Sequence, residues 1–204
     1  MCRSAFLTRI LLTLACLTAG ALRAEEPEVV AANLRAVEDG LVLDADFAFE
    51  LTPRLAEVVA GGVPLYFNVE FELGRRRWYW LDEKAASRKL QLRLSYHPLS
   101  RQYRLATGPL QQNYSSLEDA LGVLRRVRGW LVVDRSVSFY NADYQAAVRL
   151  RLDTTLLPKP FQVSALTARD LHLETPWKRF IVRSPQHLPA PAAPPRAPKG
   201  AQEK

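Results

Sequence analysis

The side chains best suited to chemistry in this 204-residue chain lie in one stretch, Gly74-Arg75-Arg76-Arg77-Trp78-Tyr79-Trp80-Leu81-Asp82-Glu83-Lys84. Three consecutive guanidiniums beside three aromatic rings suit an anionic glycan, a lipid headgroup or a partner protein, because Arg stacks on ring faces and forks onto anions. At strand spacing Trp78 and Trp80 share one face, and Tyr79 and Leu81 share the other. Arg75, Arg76, Arg77, Trp78 and Trp80 are therefore the candidate binding residues. The competing reading is a buried Trp pair filling the core, with the arginines solvating a hairpin turn.

Carboxylates offer a second chemistry. Asp44, Asp46 and Glu50 face outward on one strand pattern, and Glu70 and Glu72 on another. Two carboxylates at a suitable separation hydrolyse glycosidic bonds. The plainer expectation is that these acids face Arg93, Arg104, Arg149 and Arg151 across neighbouring strands, each pair contributing about 0.2–1 kcal/mol. Alternating charge along a strand is the signature of a wetted sheet face, so the plainer reading is preferred.

Other catalytic templates fail. The chain has no Gly-x-Ser-x-Gly elbow, no phosphate-cradling glycine loop and no His-Glu-x-x-His. His97, His172 and His187 do not have metal-ligand spacing, and His97 falls on the polar side of its strand just before a turn. No metal and no cofactor is expected. A further cluster, Leu157-Pro158-Lys159-Pro160-Phe161 followed by Pro176-Trp177-Lys178-Arg179-Phe180, predicts an extended edge or crossover segment. Trp177 and Phe180 would anchor the last strand.

The elements that position these residues are mostly strands. Leu41 to Leu51 alternates apolar with acidic residues, and Glu38-Asp39-Gly40 supplies a turn that pairs it with Val29 to Val37. The period of two returns in Val63 to Leu73, Leu90 to Tyr96, Gln102 to Thr107 and Tyr144 to Leu152. Two segments read as helices. Thr52-Pro53 starts one that Gly61-Gly62 closes. Ser115 with Glu118 resembles a capping box, and apolar residues at helical spacing carry that second helix to Gly129. The predicted fold is mainly β, an antiparallel β-sandwich-like single domain with two short helices.

Both ends differ from this middle. Residues 1–24 combine Arg3 and Arg9, a short apolar run from Ile10 and small residues down to Ala24, the form of a cleavable signal peptide. Cleavage after Ala21 or Ala24 is expected, and with it periplasmic residence. The apolar run is too short for a membrane span of about 20 residues. Thr13 stands where a lipoprotein signal carries Leu, so Cys16 is read as part of the leader and not as an anchor. Membrane contact would then come only through the uncleaved leader. Loss of the leader removes both cysteines and three of the seven net positive charges, leaving a thiol-free and mildly basic chain that argues against nucleic-acid binding. Residues 25–183 form the β-rich domain; residues 184–204 hold six of the 14 prolines and read as a disordered tail.

Several separate blocks carry a resemblance. Tyr66-Phe67-Asn68-Val69-Glu70-Phe71, Arg77-Trp78-Tyr79-Trp80, Leu152-Asp153, Pro158-Lys159-Pro160-Phe161 and Trp177-Lys178-Arg179-Phe180 together resemble the exported proteobacterial family catalogued as domain of unknown function 4390, whose members are sometimes titled proline-rich signal peptide protein. The resemblance spans Val29 to Phe180. It implies a signal peptide, periplasmic residence and a gene neighbourhood that often includes a membrane sensor kinase, hence a partner of that kind. It supplies no catalytic residue. The expectation is a non-enzymatic module that binds an envelope protein or another envelope component; the alternative is a carbohydrate-active enzyme using the outward carboxylates.

Overall fold

A computed structural model of the chain describes residues 26–75, 83–135, 137, 143–162 and 169–183. Two antiparallel sheets face each other. Strands β1 (Glu28–Val37), β2 (Gly40–Ala48) and β7 (Arg126–Asp134) make a three-stranded sheet in the order β1-β2-β7. The second sheet has the order β6-β5-β4-β3-β8-β9, built from β3 (Leu65–Arg75), β4 (Glu83–His97), β5 (Gln102–Thr107), β6 (Leu110–Tyr114), β8 (Asp143–Leu152) and β9 (Lys178–Arg183). Helices α1 (Pro53–Ala60) and α2 (Leu117–Leu124) complete the fold. The mainly β, sandwich-like reading holds.

Strand β3 is the axis of the larger sheet, paired along its length with β4 on one side and β8 on the other. Leu65, Phe67, Val69, Phe71 and Leu73 are all completely buried, and they project toward the smaller sheet. Each such side chain contributes roughly 1.5–3 kcal/mol by leaving water. Leu43, Ala45, Phe47 and Phe49 meet them from the β2 side, with Phe49 and Phe67 stacked at 6.0 Å between ring centroids. The alternate residues of β3, from Tyr66 to Glu72, face outward, which settles where the polar chemistry of the sheet must lie.

The first hairpin turns at Glu38-Asp39 as expected, with Val37 opposite Gly40. Gly40 has φ +143, and a Cβ there would stand 2.0 Å from the Val133 carbonyl oxygen, so β7 could not close onto β2 with any other residue. Thr52 caps α1: its hydroxyl accepts from Leu55 N–H at 3.2 Å and donates to the Asp170 carbonyl at 2.5 Å, tying the helix to the short 3-10 turn Arg169–Leu171.

Three local readings are corrected. The cap of α2 is Ser116, which accepts from Asp119 N–H at 3.1 Å, one residue later than the Ser115/Glu118 pattern suggests. The helix stops at Leu124 and does not reach Gly129; Arg126 and Arg128 belong to strand β7. Val127 continues the helical spacing only by chance, and a bulge follows it in β7: Leu43 pairs with Trp130 and Ala45 with Val127, so Asp44 faces both Arg128 and Gly129, with Gly129 at φ +63. Finally, residues 159–162 take a helical turn instead of an extended path, because the Pro158 carbonyl accepts from Phe161 N–H and Gln162 N–H, and a proline in a first helical turn forfeits no hydrogen bond. The expected leader (residues 1–24) and the expected disordered tail (residues 184–204) lie outside the described residues.

Candidate functional site

Arg75 is the last residue of β3, opposite Glu83 of β4 and Tyr144 of β8. Arg76, Arg77, Trp78 and Trp80 lie outside the described residues. Only the residues that flank the candidate segment are described: β3 ends at Arg75 and β4 begins at Glu83.

Three of the outward carboxylates are paired with arginines, Glu70 with the expected Arg149 and Arg151, while Glu50 lies past the end of β2 and has no ion pair among the described residues. Asp44 takes Arg35 Nε at 2.5 Å and accepts the Gly129 N–H at 2.8 Å, and Asp46 pairs with Arg128. The Arg35 hydrogen bond, outweighing burial and joined by the Gly129 N–H and the nearby Arg charges, holds the Asp44 carboxyl below its ordinary range. Glu70 sits between two arginines: Arg149 Nε donates to Oε2 at 2.7 Å and Arg151 Nε to Oε1 at 2.8 Å. Burial pushes the Glu70 carboxyl up, but the hydrogen bonds and charges of both arginines overcome it and bring it below the ordinary value. Arg149 is further fixed by Glu174 and by the Trp177 ring, whose centroid is 4.5 Å from its guanidinium carbon. Trp177 therefore anchors the segment before β9, as expected, by stacking on an arginine of the outer face.

A second set of contacts adjoins this pair. Asn68, completely buried, donates from Nδ2 to Asp153 Oδ2 at 2.8 Å and lies 3.5 Å from Gln91 Nε2 through its Oδ1. Asp153 also accepts from the Thr155 hydroxyl at 2.5 Å and the Thr155 N–H at 3.2 Å, with Lys89 Nζ at 3.7 Å. Burial again raises the carboxyl, and the Thr155 and Asn68 hydrogen bonds with the Lys89 charge outweigh it, so Asp153 also stays below its ordinary value. Thr175, buried, exchanges hydrogen bonds with the Leu150 backbone and seats the segment that brings Glu174 beside Arg149.

Two arginines depart from the expected pairing. Arg93 is flanked by Tyr66 on β3 and Ala106 on β5, and Arg104 by Ser95 and Asn113, so neither meets a carboxylate among the described residues. Beside them Tyr66, Leu90, Gln91, Arg93, Ala106 and Gly108 line a cleft of about 420 Å³.

Asn68, Gln91 and Asp153 were not singled out from the sequence as site residues. Asn is depleted from strands, so its place between Phe67 and Val69 was the available signal. His97 closes the turn after β4, where its Nδ1 accepts the Ser100 N–H at 3.3 Å. Among the described residues no three His, Cys, Asp or Glu side chains gather as a metal site, and no helix is long and apolar enough to cross a membrane.

Comparison with curated proteins and with solved structures gives no match. Residues 24–181 match the family described as a domain of unknown function, DUF4390, a span that takes in both sheets, the Asn68–Asp153 contact and the Glu70 arginine pair. The chain is a member of the DUF4390 family.

Proposed function

We propose that the protein is an exported periplasmic domain that acts by binding an envelope partner, a protein foremost, and not by catalysis. The state of its outer-face carboxylates carries this reading. Asp44, Glu70 and Asp153 are each held in the charged form below their ordinary range. A glycosidase needs one carboxyl raised so that it donates a proton near neutral pH, and a fixed lattice of ion pairs suits recognition better than proton transfer. A membrane sensor kinase of the kind implied by the family resemblance is one such partner.

The surface put forward is the outer side of β3, β4 and β8 together with the arginine hairpin that β3 and β4 lead into. Crosslinking followed by pull-down from the periplasm tests it, comparing wild type with a triple variant carrying Arg75→Ser, Arg76→Ser and Arg77→Ser. Loss of a partner supports the hairpin as part of the surface. An identical partner list removes the arginines from the reading.

A further inference from the structure

We propose a small-anion site in the cleft between β3, β4 and β5, where Arg93, backed by Arg104, receives the acidic group of a carboxylate- or phosphate-bearing small molecule. The site does not rest on the partner-protein reading, although it lies on the same outer face.

Charge arrangement is the first argument. On the β8 side the enclosed charges are met: Glu70 takes Arg149 and Arg151, and Asp153 takes Lys89. Toward β5 this compensation stops. Arg93 pairs with Ala106 and Arg104 with Ser95, which makes the two arginines diagonal neighbours on one face of β4 and β5, their backbones roughly 7–8 Å apart. Two adjacent cations without an acid repel each other, and one shared oxyanion relieves both.

Shape is the second. The cleft of about 420 Å³ falls in the size range of small-ligand pockets. Ala106 and Gly108 provide the room: either position with a long side chain would fill the space beside Arg93. Tyr66 gives an apolar wall, and the Gln91 amide, steadied by Asn68, gives a polar edge.

Arg104 adds a third, separate sign. Its Nε is enclosed and finds no hydrogen-bond acceptor among the described residues. Buried donors almost always have one. Packing, and no fixed ion pair, therefore holds this guanidinium, which leaves its terminal donors available to an anion in the neighbouring cleft.

Calorimetric titration of the purified exported chain with glucuronate, glucose 1-phosphate and glucose tests the site and separates the two sources of oxyanion. At least one anionic sugar is expected to bind saturably, glucose is not, and added salt should weaken the binding. Arg93→Gln should weaken it about tenfold or more, as befits loss of a charge-assisted fork, and Arg104→Gln should weaken it by a smaller factor. Arg126→Gln, exposed on the other sheet, is the control and should bind normally; circular dichroism establishes that each variant is folded. If neither anion binds, if glucose binds equally well, or if folded Arg93→Gln binds like wild type, the proposal is wrong.

Discussion

Asn68 and Asp153 meet on the outer face of the large sheet at 2.8 Å, an amide with no solvent exposure donating to a carboxylate from the turn that follows β8. The Asp153 N–H also donates to the Tyr66 carbonyl at 2.7 Å, so the contact fastens the turn after β8 to the start of β3. Replacement by Ala would leave Asp153 short of a donor in a partly enclosed position. Asn68→Ala should therefore cost about 1–3 kcal/mol in urea unfolding. A cost near zero would mean that water replaces the amide without loss.

Glu70 is shared by two arginines, and the arginines are not equivalent. Arg149 keeps Glu174 and Trp177 when Glu70 is lost, while Arg151 has no other carboxylate partner among the described residues. Glu70→Gln should destabilise by about 1–3 kcal/mol because it leaves enclosed charge unpaired. A following Arg151→Ala change should recover part of that loss in a double-mutant cycle. Additive effects would contradict the shared clamp.

Acid should loosen the fold through the same groups. Glu70 titrates below its ordinary 4.5, and Asp44 and Asp153 below their ordinary 3.8, so each binds a proton less readily folded than unfolded. Their contribution is complete above those ordinary values and is lost as pH falls through the lower folded ones. Thermal unfolding followed from pH 6 downward to about 3 should show a falling midpoint. Glu70→Gln and Asp153→Asn should fall less steeply, and parallel curves would exclude these groups as the source.

Two glycines should respond differently to the same change. At Gly129 nothing lies within 4 Å of an added Cβ, so Gly129→Ala meets only the positive φ, about 1–2 kcal/mol. At Gly40 the same Cβ also strikes the Val133 carbonyl, and strain plus overpacking should reach about 3 kcal/mol or more. Equal costs would show that the β2–β7 approach relaxes easily.

Much of this architecture was legible. The alternation in Leu65 to Leu73 marks β3 because a half-buried strand must alternate, and Thr52-Pro53 marks α1 because its cap and first turn are made by local residues. The start of strand β7 was hidden because its first buried residue, Val127, stands three residues after Leu124, the spacing of a continuing helix, and the bulge at Arg128-Gly129 then breaks the strand alternation. Strand β6 has four exposed residues in five, so it has no apolar rhythm; it forms because Gly108, at φ +56, and Pro109 turn the chain back along β5. The site was legible in its parts and not in its assembly. Glu70 with Arg149 and Arg151 followed from strand charge, whereas Asn68–Asp153, Arg149–Trp177 and the unpaired state of Arg93 depend on a register that no local pattern reveals.

The account turns on the outer face of the large sheet being a recognition surface, and site-specific photocrosslinking in intact cells tests that most directly. A photoreactive residue at exposed Ser87, opposite Glu72 on this face, should yield a discrete crosslinked partner of the envelope, and the same residue at exposed Arg54 on α1 should yield none. Equal products from both positions, or a product from Arg54 alone, would contradict it.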